Sequence, residues 1–146
     1  MRVINKIIVH CSDSDHHDTM AAIKQWHVQE RGWSDVGYHF GINKSGAIEI
    51  GRSIEKSGAH CKGLNSRSIG ICVYGKIHFT EAQFKTLKDL LKMMISIFKV
   101  SIEDIYEHRQ FNSEKTCPNF SLIPIKEKIW QEETKKKLKE SKKQEN

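Results

Sequence analysis

Between Thr80 and Phe98 the apolar residues Phe84, Leu87, Leu91, Met94, Ile95 and Phe98 recur at helical spacing. Thr80-x-x-Gln83 just ahead of them is a capping box, in which each end satisfies a backbone N–H of the other. This stripe predicts a long helix with one dry face, a core element that must lie on something. The partner surface has to come from the β-branched runs Val3–His10 and Ser68–Tyr74, which read as short buried strands. Helices and strands alternating in this way predict an α/β domain, a central mixed β-sheet flanked by helices.

The remaining segments fit around that frame. Asp18 is placed to cap a helix over Thr19–Arg31, where Met20, Ile23 and Trp26 or His27 keep the period and Gly32 stops it. Gly37–Asn43 and Ala47–Arg52 read as two arms of a hairpin about the turn Asn43-Lys44-Ser45-Gly46, with Gly46 at a position that wants positive φ. Ser53–Arg67 is a long loop of small polar residues, and loops of that length usually have a task. A mixed stretch, Ile102–Arg109, carries His108, and the loop Gln110–Phe120 carries Lys115, Cys117 and Pro118. A last helix is expected over Ile125 to about Leu138, anchored by Ile129 and Trp130. With 146 residues, one domain over residues 1–130 is expected, followed by a lysine-rich helical or disordered tail over 131–146.

Charge and cysteine usage narrow the class. From Lys126 onward there are eight lysines against five glutamates, half of the formal charge of +6. The aromatics do not interleave with these lysines, so no nucleic-acid partner is expected. No apolar run approaches the roughly 20 residues of a transmembrane helix. The N-terminus lacks the apolar core of a signal peptide, so synthesis in the cytosol is expected. Cys11, Cys61, Cys72 and Cys117 show no Cys-x-x-Cys spacing, and reduced thiols are the reading. No apolar patch stands out in the sequence, and a monomer is expected.

Eight histidines accompany the four cysteines. A catalytic zinc site needs three protein ligands and one open position for water, and imidazole and thiolate suit that metal. By spacing alone His10, His108 and Cys117 are candidates, and His27, His39, His60 and His78 are equally eligible.

Four segments carry a resemblance. They are Ile7-Ile8-Val9-His10, then Arg31-Gly32-Trp33-Ser34-Asp35-Val36-Gly37-Tyr38-His39-Phe40 after the helix with Trp26-His27. The third runs from Gly58-Ala59-His60-Cys61 through Asn65 to Ser68-Ile69-Gly70-Ile71, and the fourth is Glu107-His108-Arg109 with Lys115-Thr116-Cys117-Pro118. In this order they resemble the zinc-dependent N-acetylmuramoyl-L-alanine amidases, a family that includes small phage amidases and peptidoglycan recognition proteins. The resemblance implies one Zn2+ per chain on His10, His108 and Cys117. It also implies Tyr38 and Lys115 as catalytic residues beside the metal, and His60 and Asn65 on a loop flanking the substrate groove. The activity it implies is hydrolysis of the amide bond between N-acetylmuramic acid and L-alanine in peptidoglycan. The setting it implies is endolysin-like, with the wall reached after holin-type release or another delivery. A peptidoglycan-binding module without catalysis is the rival, and Cys117 argues against it, because recognition domains that do not cut typically lack the cysteine ligand. The remaining cysteines, with His16, His17, His27, His39 and His78, read as structural.

Overall fold

Strand β1 (Lys6–Cys11) runs through the middle of the sheet, and its neighbours on both sides are parallel to it. A computed structural model describes residues 1–32 and 36–145; Trp33, Ser34 and Asp35 of the second matching segment lie outside the described residues. The other strands are β2 (Phe40–Ile42), β3 (Ile48–Ile50), β4 (Ser68–Val73) and β5 (Ile105–Glu107). Their order across the sheet is β3-β2-β4-β1-β5. Among the described strands the β2–β3 pair alone is antiparallel, so the sheet is mixed, as expected. β1 and β4 are buried along nearly their whole length, which is why they read as continuous apolar runs without polar alternation.

Helix α1 (Met20–Arg31) covers one face of the sheet, and α2 (Glu81–Phe98) and α3 (Ile123–Glu145) cover the other. Alternation along β4 sorts the two cores. Ile69, Ile71 and Val73 pack with Leu87, Leu91 and Met94 of α2 and Ile125 and Ile129 of α3. Cys72 and Tyr74 pack with Met20 and Ile23 of α1. The capping box on α2 forms as predicted, with both reciprocal bonds present. Glu132 ties α3 to α2 by accepting from Lys88 and Lys92, each at 2.7 Å. Gly46 has φ of 86°, as the turn requires.

Two local expectations need correction. The cap of α1 is Thr19, whose Oγ1 accepts from the Ala22 N–H at 3.0 Å. Asp18 instead accepts from the Lys44 N–H at 2.9 Å and pins the hairpin turn to the helix start. α3 begins two residues earlier than predicted, because Pro124 lies in its first turn, where a missing N–H is harmless. α3 also continues unbroken to Glu145; beyond Ile129 no residue of it is buried. Among the described residues no helix is long and apolar enough to cross a membrane.

His39 locks the long loop to the sheet. It is fully buried, its Nδ1 accepts from the Gly70 N–H at 3.0 Å, and its Nε2–H donates to the Lys56 carbonyl at 2.9 Å. A second proton would have to displace the Gly70 N–H. Burial, with Arg2 and Arg52 nearby, lowers its pKa from 6.5 to about 4. The unfolded chain therefore takes up a proton near pH 6.5 that the folded chain refuses until about pH 4. Stability should fall as pH drops through that window, by on the order of 3 kcal/mol. Urea unfolding of chelator-treated protein at pH 7 and pH 4.5 measures the slope. His39→Asn, whose carbonyl oxygen can still accept from Gly70, should reduce it by the share of His39 and leave that of the buried His10 and His60.

Candidate metal centre and cleft

The parallel register builds half of the site. Val9 of β1 pairs with Glu107, the last residue of β5, so the residue after each is a histidine, His10 on β1 and His108 just past β5. Their ring centroids stand 4.3 Å apart. The chain then turns through a short 3-10 segment, His108–Gln110, and comes back. The Arg109 N–H donates to the Cys117 carbonyl at 2.9 Å, and the Cys11 N–H donates to Cys117 Sγ at 3.0 Å. These bonds carry the thiol to the carboxyl end of β1, the end at which open parallel sheets generally hold ligands. One donor atom from each of His10, His108 and Cys117 falls within 4.8 Å of the others, a group of metal-binding size among the described residues.

The electrostatics prepare these donors. Burial, then the neighbouring His60 and His108, hold His10 well below the usual imidazole range. Burial and the Lys115 cation lower His108. Both rings are thus neutral near pH 7, the form that binds a metal. The hydrogen bond with the Cys11 thiol, followed by burial, pushes the Cys117 thiol up. A bound cation would reverse that, since a coordinating thiol loses its proton. Two neutral imidazoles and one thiol form a soft, three-ligand set of the kind that suits zinc. His10 also has a hydrogen-bond partner behind it, the usual condition of a metal-ligating histidine.

The three donors lie in a cleft of about 410 Å³. Tyr38 and Lys115 line it, and the Tyr38 ring lies 5.1 Å from that of His10. His60 lines it too, but is only 8% exposed. Asn65 does not reach it; its Oδ1 accepts from the His60 and Cys61 N–H groups at 2.8 and 2.9 Å and shapes the loop. Trp26 and His27, read from the sequence as helix residues, also border the cleft, as do Asp13 and Glu114, for which the sequence shows no role. His17 stacks on Trp26 at 5.6 Å with 13° between the rings, forming an aromatic shelf. The helical spacing that placed Trp26 gave no sign that it borders a cleft. Cys11, read from the sequence as structural, also meets Cys117, its backbone N–H donating to Sγ at 3.0 Å and its carbonyl accepting from the thiol at 3.8 Å.

Comparison with known proteins gives the family. The family model of N-acetylmuramoyl-L-alanine amidase (Amidase_2) matches residues 1–120. This chain belongs to that amidase family. It is 37% identical over 126 residues to the endolysin of Escherichia phage T7, covering 80% of this chain and 81% of that one. It is also 37% identical over 117 residues to peptidoglycan-recognition protein LB of Drosophila melanogaster, covering 77% of this chain and 50% of that protein. Among solved structures, the amidase LysC from Clostridium intestinale superposes with a TM-score of 0.78 at 32% identity, covering 86% of this chain and 85% of LysC. The amidase takes the fold of these relatives, a single mixed sheet flanked by helices.

Proposed function

We propose that this amidase holds one zinc ion on His10, His108 and Cys117 and hydrolyses the amide bond between N-acetylmuramic acid and L-alanine in peptidoglycan. The convergence of those three donors at one end of β1 and β5 is the observation that carries the reading. Bound there, zinc supplies Lewis-acid chemistry, polarising a carbonyl and bringing the pKa of water to about 7.

The chain's own groups do the rest. Lys115 places an ammonium in the cleft, where it stabilises the oxyanion that develops on the scissile carbonyl. Tyr38 fixes the side of the cleft beside His10 and offers a hydroxyl to the same oxygen. His60 is an unsuitable proton carrier, because burial lowers its pKa to about 3 and both its nitrogens are engaged within the protein. Tyr38 and Lys115 remain to pass a proton to the departing L-alanine nitrogen. The catalytic unit is assigned to residues 1–130, with the rest of α3 as a basic appendage. The likeness to endolysins supports action on the cell wall after release from the cell, for which a holin-type pore is a suitable route.

Digestion of purified peptidoglycan tests this. Mass analysis should find free stem peptides beginning with L-alanine, and a chelator should suppress them. Zinc uptake with intact muropeptides would favour a recognition module. Cut glycan strands with their stems attached would mean that the assigned bond is wrong.

A further inference from the structure

Three hydrogen bonds run in series from His10 into the core. His10 Nε2 lies 2.8 Å from His60 Nδ1, and His60 Nε2 lies 3.1 Å from Ser68 Oγ. Ser68 Oγ lies 2.8 Å from the Leu64 carbonyl oxygen. The direction of every proton follows from the far end. A carbonyl oxygen only accepts, so Ser68 spends its one proton on Leu64. Its oxygen must then accept from His60, which places the ring proton of His60 on Nε2. His60 Nδ1 is left as an acceptor and takes the Nε2–H of His10.

We propose that Ser68 and His60 form a proton-ordered relay that holds His10 in its Nε2–H tautomer and turns its Nδ1 toward the metal. His60 is then a positioning residue, behind the ligand and not in contact with substrate. This rests on the zinc reading above.

The surroundings fit a fixed relay. His10, His60 and Ser68 are all buried. His60 stands outside the group of three converging donors although it touches His10. Its ring fills a socket left by two glycines. A Cβ at Gly70 would lie 2.6 Å from His60 Cγ and Cδ2, and one at Gly58 would lie 2.5 Å from Cδ2. The Asn65 side chain holds the backbone of His60 from the other direction. Neutral imidazole has two tautomers, and only one presents Nδ1 as a lone pair, so the relay removes a choice that metal binding would otherwise have to make.

Long-range proton–nitrogen NMR of the zinc-loaded, histidine-labelled wild type reads the tautomer directly. The expected spectrum shows His10 with Nε2 protonated and Nδ1 on the metal; the reverse assignment would overturn the relay. Chelator competition gives a second reading. His60→Ala should weaken zinc binding by about 10- to 100-fold. His60→Asn, which puts a carbonyl oxygen where Nδ1 accepted, should recover most of that loss and the visible spectrum of the cobalt-substituted protein. Equal zinc affinity in wild type, His60→Ala and His60→Asn would refute the relay while leaving the metal site intact. A wild-type protein that takes up no zinc would instead sink the metal reading, and the relay with it. If a variant fails to fold, the wild-type spectrum decides.

Discussion

Cys117→Ser is expected to lose zinc and amidase activity together while keeping its fold. A serine hydroxyl is a poor substitute for a thiolate, because it stays protonated near neutrality and brings no negative charge to the metal. The other two donors are neutral histidines, so the variant leaves a cation with no anionic ligand. Metal catalysis supplies several kcal/mol, and each 1.36 kcal/mol is a factor of ten, so activity should fall roughly a thousandfold or more. The fold should survive for a local reason. Cys117 is only partly buried and belongs to neither apolar cluster. Metal analysis after gel filtration, circular dichroism and a lysis assay on sacculi test the three parts separately. Retained activity with bound zinc would show that Cys117 is not a ligand.

Lys115→Ala should behave differently, keeping zinc and losing turnover. Removal of one donor to a developing oxyanion typically lowers kcat by about 10²- to 10³-fold. Lys115 is exposed at the cleft and close enough to lower the pKa of His108, so its charge is felt at the metal centre. Most of the loss should appear in kcat, with KM for a muropeptide nearly unchanged, because the charge it opposes is absent from the ground state. Lys115→Arg should restore part of the rate. A variant that instead raises KM alone would make Lys115 a binding residue.

Local pattern carried the fold to a particular depth. The helix over Glu81–Phe98, the strands β1 and β4 and the turn at Gly46 were legible because periodicity, capping and glycine chemistry are written in neighbouring residues. β5 has three residues, too few to show a period, and its partnership with β1 links positions about a hundred residues apart. Asp18 and Thr19 are both good caps, and the choice between them was settled by the Lys44 amide, a tertiary partner. At the site, composition left several histidines equivalent. The four ordered segments selected His10, His108, Cys117, Tyr38, Lys115 and His60, which the fold brings to one cleft, and Asn65, which it does not. The standing of His60 was not legible. Its contacts with His10 and Ser68 depend on the closeness of β1, β4 and the long loop, and on two glycines that leave space for a ring.

The register that sets His10 beside His108 also decides when the site can exist. The donors lie on β1, just past β5 about a hundred residues later, and on the loop beyond, so no emerging chain that stops short of Cys117 carries a complete set. Nothing local can be assembled early and kept. Pairing of β1 with β5 closes a loop of about a hundred residues, an entropic step that comes late in folding. Zinc that binds only the finished arrangement draws the folding equilibrium toward it in proportion to its free concentration. On the proposed zinc reading, metal supply would therefore act on the yield of folded protein as well as on its chemistry.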